Sequence, residues 1–304
     1  MTETTKKQMQ VEKRIRRRNL NERSVEGVLL VCASISVISV LFISFFIFQR
    51  GLPLFKIISP AKFLFGTDWA PTRDPNPGYG VLPFIAGSLY VTLGSLVLAV
   101  PLGIFTAVFM AEIADKRIVD LMRGVVQLLA GIPSVIYGFF GVIVVSKFIR
   151  NTFGGNGFSM LSGSIILAIM VLPTIINITE VTLTSLPKGI KEGSLALGAT
   201  RWQTIVKVQI PAAKSGIIAG VVLGMGRALG ETMAVLMVAG NAPIMPKGPL
   251  SMVRTLTMNI VTDMGYASGD HLTALFTTSI VLFLFILILN LSVNLIKGKE
   301  EDQG

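Results

Sequence analysis

The chain has 304 residues, 52% of them hydrophobic and only 14% charged, with a mean hydropathy of +0.71. So apolar a composition excludes an ordinary soluble domain and points to a protein that crosses a membrane several times. A single cysteine, Cys32, excludes a disulfide framework, and no cluster of ligand side chains suggests a metal. The one histidine, His271, stands beside Asp270 at a membrane boundary and reads as an interfacial side chain. The net charge of +10 could suit nucleic acid, but its placement assigns it to the membrane surface.

Residues 1–24 carry eight basic side chains: Lys6, Lys7, Lys13, Arg14, Arg16, Arg17, Arg18 and Arg23. Such a cluster before an apolar run marks a segment held on the cytoplasmic side, and it suits anionic lipid headgroups. Residues 27–48 are then uncharged over 22 positions, enough to span a hydrocarbon core of ~30 Å. The run is too long for a signal peptide, and no small-residue cleavage site follows it. Residues 50–80 are polar and proline-rich, with Trp69 and Tyr79. They read either as an external loop with interfacial aromatics or as a disordered connector.

Five more apolar runs follow. Residues 81–111 contain Pro101, residues 124–146 are interrupted at Gly131-Ile132-Pro133-Ser134, and residues 161–179 contain Pro173. The last two are residues 215–242 and 272–296. Prolines in membrane helices are tolerated where neighbours satisfy the freed carbonyls, and they mark bends. The expectation is an all-α polytopic membrane protein with six transmembrane helices and both termini cytoplasmic. The charge bias agrees, with 18 Lys and Arg in the inner segments against 8 in the outer loops.

The longest inner connection, residues 179–215, precedes the fifth span. Residues 188–200 are long enough for a short helix lying along the membrane, and Gly193 to Ala199 reads GSLALGA, small enough to let another surface approach. Its plain reading is an amphipathic interfacial helix. The spacing Glu192-Gly193-Ser194-x-x-x-Gly198, followed by Val208-x-Ile210-Pro211, resembles the EAA-x-x-x-G…I-x-L-P loop of ABC importer permeases. Gly193 and Ser194 replace two alanines, and Val208 and Ile210 replace isoleucine and leucine. The resemblance implies a coupling helix that docks in a cleft of an ATP-binding subunit, with Glu192, Gly193, Ser194, Ala196, Gly198 and Pro211 as its contact residues. The chain has no G-x-x-x-x-G-K-[ST], so it offers no nucleotide cradle of its own. Residues 224–230 (GMGRALG) have one residue too many for a dinucleotide loop and sit inside an apolar run.

The fifth span holds two charges, Arg227 and Glu231. At about 100° per residue with Gly216 at zero, Gly220 falls at about 40°, Gly224 at about 80°, Arg227 at about 20° and Glu231 at about 60°. A Gly216/Gly220/Gly224 packing stripe and both charges are therefore expected on one face. Arg227 stands 15 residues before Ala242, so at ~1.5 Å per residue it lies ~22 Å from the outer end, beyond the reach of snorkelling. Two readings stay open: a buried ion pair that orients helices, and an anion site in which the guanidinium fork meets phosphate-type oxygens.

Three further stretches carry a closer resemblance. Tyr79-Gly80-Val81-Leu82-Pro83-Phe84-Ile85-Ala86-Gly87-Ser88, Ala130-Gly131-Ile132-Pro133-Ser134-Val135-Ile136-Tyr137-Gly138 and Gly226-Arg227-Ala228-Leu229-Gly230-Glu231-Thr232-Met233 resemble the phosphate ABC transporter permeases of the PstC type. The similarity covers residues 25–297. It implies a type I importer permease (MetI-like) fold, a second permease of the PstA type, two ATP-binding subunits that hold ATP and Mg²⁺, and an extracytoplasmic phosphate-binding protein. It also implies that Arg227 and Glu231 line the substrate pathway, and that this chain carries no cofactor and is not an enzyme. The expected division is a cytoplasmic basic tail (1–24), a first span with an external loop (25–80), a permease core (81–297) and a cytoplasmic tail (298–304). Permeases for molybdate or sulfate, and an ATP-independent channel or scaffold, remain rival readings.

Overall fold

The computed structural model describes the backbone of residues 3–301 and the side chains of residues 25–291. The basic side chains of the expected N-terminal tail lie outside the described residues. The chain divides into two units, Met1–Arg50 and Gly51–Gly304.

The first unit belongs to one helix, α1 (Glu3–Gly51). Its apolar side chains from Val25 to Phe45 are exposed all round, as befits a helix whose solvent is lipid. The hydroxyls of Ser36, Ser39 and Ser44 donate to the carbonyls of Cys32, Ile35 and Val40 at 3.0, 2.8 and 2.8 Å. These three hydroxyls are thereby satisfied within the helix itself.

In the second unit, residues 51–80 are neither a disordered connector nor separate from the core. A 3₁₀ turn (Leu52–Lys56) leads to α2 (Pro60–Phe65), capped by Ser59, and to a hairpin of β1 (Trp69–Ala70) and β2 (Gly78–Tyr79). The strands are antiparallel, with Trp69 opposite Tyr79. Leu54, Phe63, Trp69 and Tyr79 are buried with Phe84, Leu256 and Leu275. Burial of these large side chains folds a stretch that is polar on average.

The second apolar run forms α3 (Leu82–Val108), extended by a π turn at Phe109–Ile113. The third run differs from expectation. Residues before the proline form a separate helix, α4 (Lys116–Gly131). The membrane-length helix begins after it, as α5 (Ser134–Phe140), a π turn (Gly141–Val145) and α6 (Ser146–Phe153). Pro133 cannot continue the α4 hydrogen-bond ladder and biases Ile132 to an extended conformation.

Helix α7 (Met160–Thr184) is the most buried of the apolar helices. It is followed by α8 (Lys188–Ala196), α9 (Arg201–Thr204), a π turn (Ile205–Gln209) and α10 (Ile210–Ala212). Next come α11 (Lys214–Gly230), α12 (Met233–Val238), α13 (Leu256–Met264) and α14 (Gly269–Glu301). The chain bends by 68° between Arg201–Ala212 and α11. Among the described residues five helices are long and apolar enough to cross a membrane, or six if that bent pair counts as one span.

The main core joins α3, α7, α11 and α12 through Val91, Leu167, Val171, Ile175, Ala228 and Val235. The glycine stripe of α11 makes the approach to α7 possible. A methyl group at Gly216 would collide with the Thr182 side chain, and one at Gly220 or Gly224 would press on Ile178 at 3.2 Å or Ile175 at 3.1 Å. Close backbone approach through small residues is how helices associate where no hydrophobic force separates protein from lipid.

The helix ends on the hairpin side are tied by polar contacts. Asp263 is 2% exposed and accepts hydrogen bonds from Trp69 Nε1 (3.0 Å), Tyr266 Oη (2.7 Å) and Arg254 Nη1 (3.3 Å), with His271 Nε2 at 3.2 Å. His271 is buried, between the Trp69 and Tyr266 rings. Burial, and then the hydrogen bond to Asp263, raise the Tyr266 phenol pKa above its ordinary value, so its proton stays in place to donate.

The packing of α11 on α7 is testable. Gly216→Ala should destabilise the protein by about 1–3 kcal/mol, because the β-branched Thr182 has no flexible end to move aside. A thermal unfolding midpoint in detergent equal to that of the unmodified protein would remove this account.

Candidate functional site

The site is organised by a break in the fifth span. Helix α11 ends at Gly230, and Glu231 takes an extended conformation with φ −71° and ψ 132°. Seventeen residues at ~1.5 Å each give α11 a length of ~26 Å, so the helix stops short of a ~30 Å core and α12 resumes beyond it. Nothing in the apolar spacing announces this break, because no proline causes it.

The break separates the two charges. Glu231 no longer lies one helical turn above Arg227, and among the described residues no ion pair joins them. The Glu231 carboxylate instead accepts the Ala234 backbone N–H at 3.2 Å and so caps α12. Its own carbonyl accepts the Thr257 hydroxyl at 3.2 Å. The expectation of a paired Arg227 and Glu231 on one face rested on a continuous helix, and the structure corrects it.

Arg227 also departs from the glycine face. Gly220 and Gly224 are buried against α7, whereas Arg227 is exposed, alongside Leu223 and Gly230. The stripe advances by about 40° per four residues, so its buried sector has rotated past Arg227 by the level of Gly224. The guanidinium opens on the flank beside Tyr137, close enough to interact electrostatically. Counted from Lys214, it sits ~20 Å into the span.

A second break lies alongside. The Tyr137 hydroxyl donates to the Leu129 carbonyl at 2.7 Å, across the Ile132-Pro133 interruption, and so satisfies one acceptor freed at the end of α4. Gly138 admits α12, with Ala234 Cα 3.1 Å from where a β-carbon would stand. Glu231 borders a small cavity with Ser88, Thr92 and Thr255. Irregular backbone at membrane depth is tolerated only inside protein or along a water-filled path, and these two breaks meet where the one unpaired cation of α11's interior stands.

On the other side of the molecule, α8 presents the expected contact residues. Glu192, Gly193, Ala196, Gly198 and Pro211 are exposed, and Leu197 is 90% exposed. No atom approaches the open sides of Gly193 and Gly198 within 4 Å. Gly198 has φ +86° and closes the helix as its left-handed C-terminal residue. Ser194 turns the other way, and its hydroxyl meets that of Thr204 at 3.0 Å. The expected helix over 188–200 thus ends at Ala196, and Thr200 opens α9 through a capping box with Gln203.

Two carboxylates that the sequence reading did not single out hold this layer. Glu112, with its side chain 7% exposed, binds Lys191 of α8 at 2.6 Å and accepts from Gln209 Nε2 at 2.8 Å. Glu180, also 7% exposed, pairs with Arg123 of α4 at 2.6 Å. Buried acids in otherwise apolar helix ends were the available signal. Glu112 fixes the short helix to the end of α3.

The family model for "Binding-protein-dependent transport system inner membrane component" matches residues 99–299. The chain belongs to that family. This permease is 45% identical over 282 residues to the "Probable ABC transporter permease protein YqgH" of Bacillus subtilis (strain 168), covering 90% of this chain and 91% of the relative. It is 32% identical over 264 residues to the "Phosphate transport system permease protein PstC" of Pasteurella multocida (strain Pm70), covering 80% and 82%. A solved MetNI methionine ABC transporter, in an inward-facing conformation, superposes with a TM-score of 0.55 at 20% identity, covering 71% of this chain and 92% of that one. The MetI-like permease fold expected from the resemblance is therefore the observed one. The permease is a membrane-embedded ABC importer subunit and not an enzyme.

The exposed face of α8 makes its own prediction. Gly198→Leu places a side chain at positive φ and fills the open side of α8, so co-purification of the ATP-binding subunit should fall sharply. Undiminished co-purification would show that Gly198 faces no partner.

Proposed function

We propose that this permease forms part of the membrane path for inorganic phosphate. The carrying observation is Arg227, a guanidinium ~20 Å into the span, exposed and without a carboxylate partner among the described residues. A bare cation at that depth is costly unless it faces water or a solute. The planar fork of donors matches phosphate oxygens two at a time. The similarity to PstC permeases supports the same substrate.

In this reading the exposed flank of Arg227 meets a second permease of the PstA type, which completes the path. A pair of ATP-binding subunits holds ATP and Mg²⁺ and engages α8 through Glu192, Gly193, Ala196 and Gly198. An extracytoplasmic binding protein delivers phosphate to the side bearing the hairpin, and both termini are cytoplasmic. Glu231 acts on the path by holding the break rather than by neutralising Arg227. Its cap on α12 ties the start of that helix to the edge of the cavity.

The test is phosphate uptake by membranes containing the assembled importer. Arg227→Gln should abolish uptake while the subunits still co-purify, and molybdate or sulfate in excess should leave uptake by the unmodified importer intact. Full uptake by the variant would sink the anion role of Arg227, and competition by molybdate or sulfate would reassign the substrate.

A further inference from the structure

The break at Glu231 is fastened to the outer surface by a chain of polar contacts that transport through Arg227 does not require. Its first link is the Thr257 hydroxyl on the Glu231 carbonyl at 3.2 Å, with Thr255 and Thr257 hydroxyls 3.0 Å apart. The same segment is held to α3, where the Leu256 N–H donates to Ser88 Oγ at 2.9 Å. It is held to the end of α12 as well, where the Val253 N–H donates to the Ala239 carbonyl at 2.9 Å. Arg254 therefore belongs to a strap that touches both sides of the break. Its guanidinium reaches outward to Asn259 and Asp263.

Asp263 gathers this strap with the hairpin. Its carboxylate takes donors from four places in the chain: Trp69 on β1, Arg254 on the strap, Tyr266 after α13, and His271 at the start of α14. A buried charge network of this kind is a weak source of stability, because desolvation offsets most of the attraction. What it does supply is registry between the hairpin, the strap, the end of α13 and the start of α14. Beyond Trp69 the hairpin turn is open to solvent from Thr72 to Pro77, and Arg73 and Asp68 clasp its base with two hydrogen bonds of 2.8 Å.

We propose that Asp263 is a positioning residue that couples the outer hairpin to the break at Glu231. A partner that presses on the hairpin shifts Trp69, and Asp263 passes that displacement through Arg254 and Thr257 to the backbone at which α11 stops. The proposal rests on the importer reading above, in which a ligand-loaded binding protein acts on this side. Coupling of this kind is established by energetics rather than by proximity, so the test measures a coupling.

The importer is purified whole, with its ATP-binding subunits, and ATP hydrolysis is measured with and without the phosphate-loaded binding protein. Asp263→Asn keeps the size of the side chain and removes its charge. It should assemble and keep basal hydrolysis, while stimulation by the binding protein falls by about tenfold. Trp69→Phe removes only the indole donor and should act in the same direction. The double variant should be no worse than Asp263→Asn alone, because both break one link. Stimulation of Asp263→Asn equal to the unmodified importer overturns the proposal, and so does a parallel fall in basal and stimulated rates, which marks a merely structural role. An unmodified importer that ignores the phosphate-loaded protein but responds to one loaded with molybdate or sulfate overturns the substrate and not the coupling, which is then read with that ligand.

Discussion

The fold depends on how closely α11 can lie against α7. In lipid there is no gain from hiding one apolar surface against another, so association is decided by how many atoms can touch. Gly216, Gly220 and Gly224 remove the side chains that would hold the two axes apart, and Thr182, Ile178 and Ile175 fill the space. With α7 also packed against α3, α11 has little freedom along most of its length. Its end is therefore held in place, and the break at Glu231 occurs at a defined depth against a defined neighbour.

The break changes what the two charges do. On a continuous helix they would cancel, and a cancelled pair has little to offer a passing anion. With the backbone turned aside after Gly230, Glu231 is committed to the first turn of α12, and Arg227 keeps its charge uncompensated toward the open flank. At the opposite end, Glu112 and Lys191 clamp α8 to α3, the helix that also contributes Val91 and Ser88 to the neighbourhood of the break. Helix α8 is thus joined to the span layer through that ion pair.

Much of this is legible in the sequence alone. The glycine stripe is visible because spacing four apart on an apolar run has one physical use, and α8 is visible because polar and small residues interrupt the apolar pattern. The break at Glu231 was not, since Gly-Glu-Thr inside an apolar run carries no proline and periodicity alone continues straight through it. The wheel placed Arg227 with the glycines because a 100° rule cannot resolve the edge of a stripe that drifts by about 40° every four residues. Asp263 escaped notice because its partner Trp69 lies 194 positions away. Residues 51–80 misled through their average polarity, when three or four buried side chains decide whether such a stretch folds.

The hydroxyls of Ser36, Ser39 and Ser44 on α1 have a bearing on how the protein is made. Because each turns back onto its own helix, these three groups ask nothing of later segments. The first apolar segment can partition into the bilayer as soon as it leaves the ribosome and wait there, fully solvated by acyl chains, while the remaining spans are synthesised. A first helix that needed a hydrogen-bonding neighbour would have to be sheltered by the insertion machinery until that neighbour arrived.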